Sequence, residues 1–207
     1  MRIRQLSGDR FAIWLLHRLG MLLWGFPPRL MPALVHRLGA FGVLYWFARN
    51  MLRYERTRRI FGSLRTHLLG TTVSLINDCE YCAFGSAYAL ELIYLRDHGR
   101  LFPLTVAEIL QLRGRDPAVI RDQLAAALMT AGLPDEEQWL DRLLVVTSGQ
   151  AYPRSPDDAR LAHLVGMFGV LNECGIIGQV TPDGVHDPVN KDSQLKRTYH
   201  RLRAQPD

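Results

Sequence analysis

The chain has little cysteine, no apolar run long enough to cross a membrane and no low-complexity segment, and each shortage removes a class of protein. Three cysteines in 207 residues, two of them in one Cys-x-x-Cys, do not make the disulfide framework of a small secreted domain, which uses four or more in a shorter chain. A reducing, cytoplasmic home is the expectation. The stretch Leu38 to Ala48 is uncharged but covers only eleven residues, and Phe11 to Phe26 is interrupted by His17 and Arg18; a spanning helix needs about 20 apolar residues. Asp9 and Arg10 precede the first apolar run and no small-residue cleavage site follows it, so no signal peptide is expected. Sustained strand alternation bounded by hairpin turns is also missing. With 48% hydrophobic residues, the chain can bury one substantial core.

Charge of neither sign dominates. Charged residues make up 22% and the net charge is +5, with a pI near 9.4. The excess sits in two runs, Arg49, Arg53, Arg56, Arg58, Arg59 and Arg65, and then Lys191, Lys196, Arg197, Arg201 and Arg203. Both are interleaved with acids such as Glu55, Asp187 and Asp192 and read as solvated helix faces. No nucleic-acid reading motif accompanies them, so nucleic acid is not an expected partner.

What is present is helical period. Phe11 to Trp24 reads as a helix stopped by Gly25 and Pro27-Pro28, and Pro32 to Ala48 as a second with proline in its first turn. A long helix is expected from Tyr54 to Ile76, with Ile60, Leu64, His67, Leu68, Thr71 and Leu75 on one face. Asn77-Asp78 then supplies cap chemistry for a helix that opens at the cysteines and stops at Gly99. Thr105 with Glu108 forms a capping box, Asp116-Pro117 opens another helix, and Asp135 to Thr147 follows. Ser155-Pro156 starts the last strong helix, ending near Cys174, and the closing basic segment reads as a peripheral helix. The expected class is all-α: an N-terminal helical extension over residues 1–50, a helical core over 51–180 and a basic tail over 181–207.

The chemistry centres on Cys79-Glu80-Tyr81-Cys82. At a helix start, the positive end of the dipole and the unpaired N–H groups favour thiolate over thiol. Three-residue spacing lets the two sulfurs close a disulfide with little backbone movement. Cys79 faces the turn and Cys82 lies one turn deeper, so Cys82 is expected to be the less accessible. The competing reading is a pair of buried small hydrophobes. Two thiolates would need two further ligands to hold zinc, and neither Cys174 nor His67 belongs to a second paired motif, so no metal is expected. Lone Cys174 reads as a buried structural thiol, and Tyr81 and Phe84 as lining of the site, of a subunit contact or of the core.

The stretch from Ser74 to Ala89, Ser-Leu-Ile-Asn-Asp-Cys-Glu-Tyr-Cys-Ala-Phe-Gly-Ser-Ala-Tyr-Ala, resembles the signature of the alkylhydroperoxidase D-like family within the carboxymuconolactone decarboxylase superfamily. The resemblance extends over roughly residues 55 to 180 and implies an alkylhydroperoxidase D-like helical bundle that oligomerises. Active peroxidases of the family carry Cys-x-x-Cys-x-x-x-His, with a glutamate twelve residues ahead of the first cysteine. This sequence has Ser86 in place of that histidine and His67 in place of that glutamate.

His67 lies about 15 Å back from the turn at Asn77 and Ser86 about 13 Å beyond it, so antiparallel helices would bring the two to the same height. Ser86 also shares a helical face with Cys82 and Cys79. One reading makes His67 the proton acceptor for Cys82, with Ser86 orienting it. The other makes it a core histidine satisfied by a serine or a backbone carbonyl.

The leading functional expectation is a thiol-dependent oxidoreductase whose site is Cys79, Cys82, His67 and Ser86. It would act on a small hydroperoxide or disulfide, need no cofactor and be recharged by an external dithiol reductant. A decarboxylase or lactone-type enzyme of the superfamily is a second reading. A redox-inert oligomerisation or partner-binding module is a third. Trp14, Trp24, Tyr45, Trp46 and Phe47 in the extension suggest a homo-oligomer built on those helices, with membrane-surface attachment as the alternative.

Overall fold

The computed structural model describes residues 2–149 and 152–205, and every regular element in them is helical. The chain is all-α. In order, the α-helices are α1 (Arg2–Trp24), α2 (Met31–Leu38), α3 (Ala40–Phe61), α4 (Ser63–Ile76), α5 (Glu80–His98), α6 (Val106–Leu110), α7 (Pro117–Ala131), α8 (Glu137–Thr147), α9 (Pro156–Ile177) and α10 (Ser193–Arg203).

Two glycines set the helix boundaries differently from the sequence expectation. Gly39 (φ 72°, ψ 162°) ends α2, and Gly62 (φ 84°, ψ 155°) ends α3. Positive φ with extended ψ is backbone that essentially only glycine adopts. Between them α3 runs unbroken through Arg49 to Arg53, where nothing in the sequence opposes helix. The expected helices Pro32 to Ala48 and Tyr54 to Ile76 are therefore replaced by α2, α3 and α4.

The antiparallel pair α4 and α5 forms the centre. Rather than one apolar face, α4 buries every residue from Thr66 to Leu75. Its hydroxyls make this tolerable: Thr66, Thr71 and Thr72 each donate to the carbonyl four residues back at 2.8 Å. On one side Leu68, Leu75, Leu90 and Tyr94 pack with Ile120, Leu124 and Leu128 of α7. On another, Leu69 and Val73 pack with Leu143 of α8 and Leu161 and Leu164 of α9. The capping box at Thr105, the helix start at Asp116 and the helix start at Ser155 form as read from the sequence, the last with a capping box to Asp158. Among the described residues α9 alone is long and apolar enough to cross a membrane by length and composition; here it packs against α4, α5 and α8.

The N-terminal helices close over the cysteines. Leu16, Trp24, Met31, Leu34, Val43 and Phe47 share one buried cluster with Cys79, Tyr81, Cys82 and Cys174.

The tail is fastened more firmly than a peripheral segment would be. The Arg29 backbone N–H donates to Asp183 Oδ2 at 2.6 Å, and Asn190 Nδ2 donates to the Trp24 carbonyl at 2.7 Å. Arg203 at the end of α10 binds the fully buried Glu91 carboxylate and donates to the carbonyls of Phe102 (2.9 Å) and Leu104 (3.1 Å).

Candidate thiol site

Asn77 and Asp78 do not cap the cysteine helix as the sequence suggested. Asn77 closes α4, Asp78 takes a left-handed turn (φ 56°), and Cys79 itself is the N-cap residue of α5, with no side-chain cap bond. The Cys79 N–H donates back to the Ser74 carbonyl at 2.9 Å, so the turn between α4 and α5 is tight. Aspartate tolerates the left-handed region because its short polar side chain bonds locally.

Both thiols are buried. Cys79 is 1% exposed and Cys82 is 6% exposed. A β-carbon on Gly175 of α9 would lie 2.9 Å from the Cys79 sulfur, so that thiol is walled in by backbone. Cys82 instead lines a cavity of about 70 Å³, room for several waters or a small organic group. The Cys79 thiol is pulled below its ordinary value, first by a hydrogen bond from Cys82 and then by backbone N–H groups of Cys82 and Tyr81, with burial opposing. Cys82 is pushed up by the same partnership and by burial.

His67 and Ser86 line that same cavity with Cys82. The rest of the lining is mainly apolar, including Trp24, Leu34, Phe47, Met51 and Phe168, with Tyr54, Tyr81 and His186 adding polar atoms. Ser86 Oγ has no hydrogen-bond partner among the described residues. Phe84 lies outside the lining, against Tyr88. Glu80 pairs with Arg113 at 2.8 Å at the surface, and Cys174 is buried.

The partner of His67 is neither a serine nor a carbonyl. Its Nε2 lies 3.0 Å from Asp187 Oδ2 in the tail, with both side chains almost fully buried. The carboxylate also accepts the Val189 N–H at 2.8 Å and has Arg58 Nη1 at 3.7 Å. Burial pushes the Asp187 carboxyl up, but His67, the Val189 N–H and Arg58 together outweigh that and hold it below its ordinary value. An ionised carboxylate only accepts, so Nε2 carries the proton and donates. Nδ1 is buried with no partner among the described residues.

The tail brings a second histidine. His186 Nε2 sits 2.9 Å from the Tyr81 hydroxyl, which also donates to Asp183 at 3.2 Å. Burial pushes His186 down to about 4 and Tyr81 well above the usual phenol range, so both are neutral near pH 7. Gly85 packs closely here: a β-carbon would meet His186 Nδ1 at 3.1 Å and the Gly184 carbonyl at 3.2 Å, so the tail would have to give by a few tenths of an ångström.

A wider hollow of about 370 Å³ adjoins the cavity, sharing Trp24, Met51, Tyr54 and His186 and adding Arg58, Arg59 and Asp187. No group of three or more metal-ligating side chains occurs among the described residues.

The sequence reading missed Asp187 and His186. The available signal was Asp187-Pro188, an aspartate before a proline that caps the 3-10 turn Pro188–Lys191 just as Asp116-Pro117 opens α7. No family model, no curated protein and no solved structure matches this chain.

Proposed function

We propose that the protein is a thiol-dependent oxidoreductase with an alkylhydroperoxidase D-like bundle, reducing a hydroperoxide or a disulfide through Cys79 and Cys82. The observation that carries this reading is the position of Cys82 in the wall of an apolar cavity that also holds a histidine with an unpaired ring nitrogen. A structural thiol needs neither.

Cys82 is the sulfur that lines the cavity, so it makes the first attack. His67 takes the Cys82 proton, and the Cys82 sulfur attacks the distal oxygen of the hydroperoxide. The S–O bond forms, the O–O bond breaks, and the alkoxide leaves as alcohol with the proton from His67. Cys79, already the more acidic sulfur, then attacks the Cys82 sulfenic acid; the disulfide forms and water departs. Two electrons pass from the thiols to the peroxide, and an external dithiol restores them.

Self-association through the N-terminal helices belongs to this proposal. Helices α1 and α3 pack together, yet leave Phe11, Trp14, Phe41 and Tyr45 more than half exposed, more aromatic surface than a monomer ordinarily shows water. Dithiol-driven consumption of cumene hydroperoxide by the reduced protein, lost in Cys82→Ser, tests the function. A Cys82→Ser variant as active as the parent would refute it.

A further inference from the structure

We propose that Asp187 is a positioning residue for this site: it holds the His67 imidazole with its proton on Nε2, leaving the Nδ1 lone pair for the reacting groups of the cavity. The inference rests on the reading that His67 serves Cys82, and it adds the C-terminal segment to the machinery.

Asp187 reaches His67 across 120 positions of sequence, at 3.0 Å, with both side chains almost fully buried. Each of its oxygens has a distinct duty. Oδ1 accepts from the Val189 N–H at 2.8 Å, and Oδ2 faces His67 Nε2, with Arg58 Nη1 farther off at 3.7 Å. Arg58 is itself committed to Glu55 and Ser63. The cavity that His67 lines is also lined by Cys82 and Ser86 from α5, Tyr54 from α3 and His186 from the tail. None of these has a recorded bond to Nδ1, which is left as the unused acceptor.

The same two-sided grip makes the isosteric amide informative. In Asp187→Asn the side-chain oxygen must stay on the Val189 N–H, because an amide NH₂ facing that N–H would set two donors together. The NH₂ group then faces His67 Nε2, which has to accept. The imidazole proton moves to Nδ1, and the lone pair is turned away from the cavity. Asparagine caps the Pro188–Lys191 turn as well as aspartate does, so the fold survives the change.

The test joins two readouts on Asp187→Asn. Nitrogen-15 NMR of the histidine rings reports which nitrogen of His67 is protonated, assigned through His67→Gln. Iodoacetamide labelling, followed by peptide mass spectrometry across pH 5 to 10, reports the Cys82 rate. The proposal expects the His67 proton on Nε2 in the parent and on Nδ1 in the variant. It also expects a Cys82 rate lower by about ten-fold or more at pH 7, a midpoint displaced to higher pH, and recovery of part of the rate in Asp187→Glu. An unchanged tautomer overturns the assignment to Asp187, whatever the thiol does. A switched tautomer with an unchanged Cys82 rate and pH profile overturns the positioning role by showing that His67 does not serve the thiol, while the wild-type hydroperoxide assay still stands or falls on its own.

Discussion

Asp187 Oδ2 and His67 Nε2 lie 3.0 Å apart although the tail and the central helix that carry them are separated by 120 positions. That contact decides which edge of the imidazole is spoken for and leaves Nδ1 buried, with no partner among the described residues.

The first expected outcome concerns His67. Removing the ring leaves no group in the cavity able to take a proton from Cys82 near neutral pH, since His186 and Tyr81 are bonded to each other and held neutral. In His67→Ala the alkylation rate of Cys82 at pH 7 falls roughly 100-fold, the lower end of what a positioned base contributes, while Ser86→Ala changes it little. Rates resolved by peptide mass spectrometry check this. Equal rates in His67→Ala and the parent would make the histidine a packing residue.

Arg203 and Glu91 give a stability prediction with a definite pH dependence. Burial raises the Glu91 carboxyl above its ordinary 4.5, with Arg203 opposing the rise. A raised pKa in the fold means that the neutral form is the favoured one. Its contribution is fully present below about pH 4.5 and is lost as pH climbs through the raised value. Arg203→Ala removes the opposing charge, raises that value further and leaves an uncompensated buried carboxylate. It should destabilise the protein by about 3 kcal/mol at pH 7 and by less at pH 5, read from urea midpoints at the two pH values. An equal loss at both would point to packing by the Arg203 stem instead.

Gly62 isolates backbone conformation from packing. A β-carbon there meets nothing within 4 Å, so Gly62→Ala adds no clash. Its φ of 84° and ψ of 155° nevertheless fall where only glycine is at ease, and the substitution should lower stability by about 1 to 3 kcal/mol. Thermal unfolding of the variant checks it, and an unchanged midpoint would mean that the break between α3 and α4 relaxes freely.

These cases show how much was legible in the sequence. Helical period, the capping box at Thr105 and the helix starts at Asp116-Pro117 and Ser155-Pro156 are local patterns, and they identified the all-α class and several helix starts. That His67 and Ser86 could meet across α4 and α5 was legible by counting turns on either side of Asn77, and both line one cavity. Gly39 and Gly62 were illegible because a glycine inside an apolar period is compatible with helix until tertiary contacts select its positive φ. Asp187 was illegible for another reason: its role depends on where a turn-rich tail returns to, and no local pattern encodes a contact 120 residues away. The burial of Cys79 was illegible because Gly175 of α9, far off in sequence, covers its sulfur, while Cys82 lines the cavity.

The exposed aromatic rings of α1 and α3 predict self-association. Light scattering in detergent-free buffer should show a homo-oligomer, and Phe41→Glu combined with Tyr45→Glu should shift it toward monomer without loss of helical content, since both rings are exposed, at 90% and 67%. A parent protein that is monomeric at high concentration would remove the oligomer from the account.

The central claim, that Cys79 and Cys82 form a working redox pair, is tested most directly by one experiment. The fully reduced native protein is treated with a single equivalent of cumene hydroperoxide, quenched with an alkylating agent and digested for peptide mass spectrometry. The account predicts one equivalent of alcohol and an internal disulfide in the peptide that holds residues 79 to 82, with Cys174 still a free thiol. Both cysteines recovered as unmodified thiols, with the hydroperoxide unconsumed, would contradict it.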